Sequence, residues 1–185
     1  MLELLDLQPL TVEVFNFSQR QLEDVDVAIS MGLTREDLDD IKPSAGVVPP
    51  RRTRFPSRFT NGDHQVFYTS FDLQTCEAEV RHHVPLIAAS TGGGAPTDYH
   101  YYGTLWKFSG EAIDLRNQTV NLPYIEHLED YTLCQAIGTE AIAGKIDALI
   151  VRSVRHLPDG INLPVFALNR AILLGEEGHL VITHP

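Results

Sequence analysis

The sequence is short of cysteine, tryptophan, methionine and positive charge. Its 185 residues hold two Cys, two Met, one Trp and 14 Lys or Arg against 25 Asp or Glu. Cys76 and Cys134 are isolated and lack any metal-type spacing. They read as core thiols of a reduced, cytoplasmic setting rather than as a disulfide. The formal charge of −11 opposes a phosphate backbone or an anionic bilayer, because such surfaces are bound by Lys and Arg that replace counterions. Direct nucleic-acid or membrane binding is therefore not expected. No stretch approaches 18 apolar residues, and "MLELLDLQPL" has no basic start and interrupts its apolar run with Glu3 and Asp6, so neither a spanning helix nor a signal peptide is predicted. GxGxxG after a strand and GxxxxGK[ST] are both missing, which removes the dinucleotide-fold and P-loop readings.

What is present suits one domain with a substantial core: 43% hydrophobic and 21% charged residues. Charge is uneven, however. Residues 1–50 carry ten acids against three bases, whereas "RRTRFPSR" at 51–58 carries four Arg and no acid. Helices are predicted over 19–33 and, from an N-cap at Thr34, up to Pro43, followed by the linker "PSAGVVPP". Residues 1–50 are thus expected to be an acidic, partly helical extension with a Pro-rich linker, and 51–185 the main folded domain. The −7 balance beside a +4 cluster suggests that the extension packs over the rim of the site or mediates a homodimer; a decoration covering core surface is the alternative.

Beyond Arg51 the pattern predicts strands at "HQVFYTS", "YHYYGTLWKF", "EAIDL", "IDALIVRS", "NLPVFALN" and "HLVIT", with "STGGGAPTD" as a loop. Helices are predicted over 72–84 and over "YIEHLEDYTLCQAIGTEAIAGK", the latter with a weak point at Gly138. Strands outnumber helices, which gives an α+β fold with a compact, mixed, partly antiparallel sheet and flanking helices.

The junction "VFYTSFDLQTCEAEVRHHV" concentrates chemistry. Asp72 precedes a face formed by Leu73, Cys76 and Val80, which makes it a helix N-cap. Glu77 and Arg81 are spaced for an exposed i,i+4 pair. Glu79 lies about 60° from the apolar stripe, positioned to face a groove. His82 and His83 draw attention, yet the other histidines show no zinc spacing, and no metal site is expected. Arg58 in "SRFTNG" and Ser153 at the end of an apolar strand are further candidates; Ser153 lacks a GxSxG elbow, and Asp159, Gly160 and Asn162 mark a tight loop after it.

Taken in order, Arg58 in "RFTNG", Tyr68 in "VFYTS", Glu79 in "CEAEVRHH", "QAIG" at 135–138, Ser153 in "ALIVRSV" and Asn162 resemble the RES domain, over about residues 51–183. The resemblance implies a fold similar to ADP-ribosyltransferases and an NAD-degrading activity that cleaves the nicotinamide–ribose bond with phosphate or water as acceptor. It implies NAD as substrate and no resident cofactor, with Glu79 and Arg58 as catalytic residues and Arg58, Tyr68, Ser153 and Asn162 as substrate-binding residues. Arg52 and Arg54 are alternative guanidiniums. It also implies a toxin neutralised by a separately encoded helical, DNA-binding antitoxin or immunity protein. Two other readings stay open: transfer of ADP-ribose to a macromolecule, and a non-catalytic interaction module.

Overall fold

The computed structural model describes residues 7–19, 56–90, 97–118 and 121–184. Strand β3 (Thr97–Asp114) organises it, because both of its edges are used. On one edge lies β1 (Leu7–Gln19), antiparallel from Leu7↔Ile113 to Gln19↔Tyr101. The other edge pairs antiparallel with β6 (Ala171–His184) and then, at Ala112 to Asp114, parallel with β4 (Ala148–Arg152). Antiparallel pairings continue from β4 to β5 (Ile161–Val165) and from β5 to β2 (Phe67–Ser70), and β2 meets β1 at Phe15↔Ser70. Five strands therefore close a ring, with β6 flanking it. The fold is α+β with a mixed, largely antiparallel sheet.

The alternation of β4 explains its position. Ala148 and Ile150 point into the ring with Val14, Phe67, Trp106, Phe108, Leu163 and Val165. Leu149 and Val151 face outward, under Ile125 of α2 (Leu122–Ile125) and Cys134, Ile137 and Ala141 of α3 (Thr132–Ala143). A strand covered on both faces needs a continuous apolar run. Helix α1 (Leu73–Ser90) lays Leu73, Cys76, Val80 and Val84 over Phe17, Tyr99, Tyr101 and Ile182. Cys76 and Cys134 are free, buried in different clusters, and burial pushes the Cys76 thiol up to about 12.

Several expectations need correction. Leu7–Gln19, assigned to an N-terminal extension, is a strand of the sheet, with Leu10, Val12 and Val14 packing in the ring; the boundary at residue 51 therefore does not separate it from the fold. "YHYYGTLWKF" and "EAIDL" belong to one strand, β3. Helix α1 continues past 84 to Ser90, tolerating Pro85, which is exposed. The helix predicted over 124–145 breaks at 126–131, and Gly138 lies inside α3. Gln19, placed at the start of a predicted helix, is the last residue of β1; the rest of the predicted helices over 19–43, the linker, Arg52, Arg54 and most of the glycine loop fall outside the described residues.

Gly138 has a steric reason. A Cβ there would sit 1.9 Å from the carbonyl oxygen of Phe59, so α3 accepts the turn 57–60 against its bare backbone. Gln135 Nε2 donates to the Ser57 carbonyl at 3.1 Å, and His64 Nε2 donates to the Phe59 carbonyl at 3.0 Å. Phe59 itself is 1% exposed, a burial that stabilises by roughly 1.5–3 kcal/mol. From the sheet side, the Tyr68 hydroxyl accepts the Phe59 N–H at 2.9 Å and bonds Ser57 Oγ at 2.8 Å. Burial first, against lowering by Ser57, Phe59 and Arg58, pushes this phenol up to about 12 from its usual 10.

Two outcomes follow for stability. Gly138→Ala is expected to cost about 1–3 kcal/mol or more, as for overpacked cores, in urea unfolding; a loss below about 0.5 kcal/mol, the range of a neutral surface change, would show that the turn yields freely. Tyr68→Phe strands two polar groups and is expected to cost about 1–3 kcal/mol near neutral pH. Because the folded phenol titrates above the unfolded one, its contribution is complete below pH 10 and is lost as pH rises from 10 towards about 12. Alkaline unfolding curves of wild type and Tyr68→Phe should therefore converge over that interval.

Candidate active site

Helix α1 starts under strong local control. The Asp72 side chain accepts the Thr75 N–H at 2.7 Å and the Thr75 hydroxyl at 2.7 Å, an N-cap of ordinary type. Thr75 Oγ1 also lies 2.7 Å from His156 Nδ1. The first turn of α1 is thereby tied to the loop that follows β4, and Glu79 projects one turn further along.

Glu79 is the convergence point. Its Oε1 accepts the Ser153 hydroxyl at 2.7 Å and Asn162 Nδ2 at 2.7 Å. Ser153 is fully buried, and its Oγ in turn accepts the N–H groups of Arg155 at 3.1 Å and His156 at 3.0 Å. One donated and two accepted bonds complete a serine hydroxyl. Both of its lone pairs are taken by N–H groups and the side chain is buried, so the geometry is that of a holding group. Asn162 is fixed from behind, since its Oδ1 accepts the Ser70 hydroxyl at 2.8 Å; with a carboxylate ahead and a hydroxyl donor behind, only one amide orientation satisfies both. The loop closes through Ser153 N–H to the Gly160 carbonyl and Gly160 N–H to the His156 carbonyl, each 2.8 Å. A Cβ on Gly160 would meet the His156 carbonyl oxygen at 2.5 Å. Glu79 Oε2 has no hydrogen-bond partner among the described residues.

Arg58 stands on the turn that precedes β2. Its Nη1 donates to the carbonyls of Ile125 and His127, both at 2.9 Å, and the guanidinium stacks 4.6 Å from the Tyr131 ring centroid. These bonds satisfy carbonyls at and just beyond the end of α2. Arg155 reaches the same segment, donating Nη2 to the Leu128 carbonyl at 3.2 Å. Both charges are felt at α1: the His82 pKa is lowered by desolvation, then by Arg155 and Arg58, while Glu79 opposes them. Desolvation lowers His83 too, with Arg155 and Arg58 again contributing.

Of the residues singled out by sequence, Glu79, Ser153 and Asn162 are in direct contact, and Arg58 acts with Glu79 on the charge of His82 and His83. Tyr68 differs from expectation: its hydroxyl is engaged by the turn that bears Arg58, and its ring packs against the Phe59 cluster. Glu77 and Arg81 form the exposed pair expected, at 2.7 Å. Ser70, Thr75, His156 and Arg155 were missed. Arg155 stands two places after Ser153 in "RSVRH", a spacing that invited attention. Among the described residues no three His, Cys, Asp or Glu side chains form a metal-holding group, and no helix is long and apolar enough to cross a membrane.

Comparison with known proteins supplies the family. No curated protein matches the chain by sequence. A solved structure, the crystal structure of the M. tuberculosis MbcT–MbcA toxin–antitoxin complex, contains a chain with a similar fold: TM-score 0.62 at 12% identity, covering 95% of this chain and 86% of that one. The family model described as the RES domain matches residues 9–179, which takes in β1 as well as every site residue. The chain belongs to the RES domain family.

Proposed function

We propose that this protein degrades NAD by breaking the nicotinamide–ribose bond, with phosphate or water as acceptor, and that it is the toxin of a toxin–antitoxin pair. The observation that carries the reading is the Glu79 carboxylate held at Oε1 by Ser153 and Asn162 with Oε2 left to face a ligand. As the C1′–N bond breaks, its electron pair returns to the pyridinium and neutral nicotinamide leaves. The ribose carbon then bears oxocarbenium character, and a carboxylate fixed beside it stabilises that charge more than it stabilises the ground state. A phosphate oxygen, or a water that loses a proton, then bonds C1′. Oε2 is also suited to accept a ribose hydroxyl.

Arg58 suits the diphosphate, since a guanidinium offers five N–H donors and only Nη1 is engaged by carbonyls. Tyr68 acts here as a positioning residue for Arg58 rather than as a ribose ligand. The acidic balance of −11 favours a small acceptor over a polynucleotide. The likeness to a chain of a toxin–antitoxin complex supports a separately encoded antitoxin as the partner that holds the activity in check.

Incubation of purified protein with NAD, with and without phosphate, tests this directly. Nicotinamide should appear, with ADP-ribose as co-product in hydrolysis or its 1″-phosphate in phosphorolysis; ADP-ribosylated protein or nucleic acid in a treated lysate would instead support macromolecular transfer. Glu79→Gln should lower kcat by about 10²–10³-fold, the scale of losing one transition-state charge stabiliser, with an unaltered melting profile. Ser153→Ala and Asn162→Ala should each lose about 10–100-fold, corresponding to a hydrogen bond to a charged group, and the double variant should lose more than either. Full turnover in Glu79→Gln would remove this carboxylate from the chemistry.

A further inference from the structure

The arginines of the described residues divide into two groups. Arg81 pairs with Glu77 at 2.7 Å, Arg116 with Asp114 at 2.6 Å, Arg170 with Asp147 at 3.4 Å and Arg152 with Glu126 at 3.9 Å. Arg58 and Arg155 have no carboxylate partner among the described residues; their side chains bond main-chain carbonyls of Ile125, His127 and Leu128. In a chain with 25 acids and a charge of −11, two guanidiniums left unneutralised on the same short segment repel each other and await an opposite charge. The segment holds them at neighbouring carbonyls, one from the turn before β2 and one from the loop after β4. Both act electrostatically on His82 and His83, one helical turn from Glu79. Arg58 makes two bonds to carbonyls and Arg155 one, so each guanidinium keeps further N–H donors.

We infer that Arg155 is a second anion-gripping residue, which with Arg58 clamps the diphosphate of a dinucleotide and makes the site select a nicotinamide dinucleotide over the phosphate-free, cationic nicotinamide nucleoside. This rests on the NAD-cleaving reading for the identity of the substrate, while the clamp itself rests on the two guanidiniums. A clamp of this kind also offsets the repulsion between the phosphates and Glu79. Its selectivity comes from planar two-point hydrogen bonding, which an ammonium does not reproduce.

Two measurements test it together: ADP-ribose binding by calorimetry, and steady-state kinetics with NAD and nicotinamide riboside, on wild type, Arg155→Ala, Arg155→Lys and the surface control Arg81→Ala. Arg155→Ala is expected to weaken ADP-ribose about 10–100-fold, as for a charge-assisted hydrogen bond. It should raise KM for NAD far more than it lowers kcat, and shrink the NAD-to-riboside preference by the same factor. Arg155→Lys should fall between wild type and Ala, and Arg81→Ala should stay within about twofold, as for an exposed pair. Equal losses on NAD and riboside would mean that Arg155 only latches the Leu128 segment, and would overturn the inference; so would ADP-ribose affinity unaffected by Arg155→Ala, or absent in wild type. If ADP-ribose binds through Arg155 but wild type releases no nicotinamide, the clamp stands and the NAD-cleaving reading fails.

Discussion

One carboxylate oxygen joins three elements of this fold. Glu79 comes from α1, Ser153 from the end of β4 and Asn162 from β5, and all meet at Oε1. The sheet makes this possible, since β5 lies between β2 and β4 and brings Asn162 opposite both Ser70 and Val151. Each partner is itself held from behind, Asn162 by Ser70 and Ser153 by two backbone N–H groups. A carboxylate held this way keeps little orientational freedom.

A second constraint holds Arg58. Its turn is wedged between a helix without a side chain at Gly138 and a tyrosine hydroxyl rising from β2. The "QAIG" likeness thus has a physical basis: Gln135 and Gly138 are the two positions of α3 that receive the turn. Neither residue touches Glu79's oxygens, yet both determine where the guanidinium stands relative to them.

Much of this was legible in the sequence, and the losses have causes. Glu79, Ser153 and Asn162 were readable because the ordered motif ties residues that periodicity alone leaves unconnected. β1 was missed because Glu3, Asp6 and Glu13 drew attention to charge, although Leu10, Val12 and Val14 alternate with Thr11 and Glu13 as a half-buried strand should. At the break over 126–131, Glu126, Leu128 and Glu129 all favour helix, but the His127 ring accepts the N–H groups of Glu129 and Asp130, the Asp130 carboxylate accepts that of Thr132, and the distant Arg58 bonds the carbonyls of Ile125 and His127. Gly138 was read as weakness in a helix when it is the place of closest backbone approach. Tyr68 was located correctly in β2, but a strand pattern carries no information about the partner of its hydroxyl.

The Thr75 link between the helix start and the Ser153 loop has a directional character. A hydroxyl has one proton, and the Asp72 carboxylate takes it. His156 must therefore be the donor through Nδ1. In the neutral ring this fixes the tautomer, leaving Nε2 as a lone pair in the loop whose N–H groups hold Ser153. The capping choice at the beginning of α1 thus dictates proton placement on an imidazole 81 residues later.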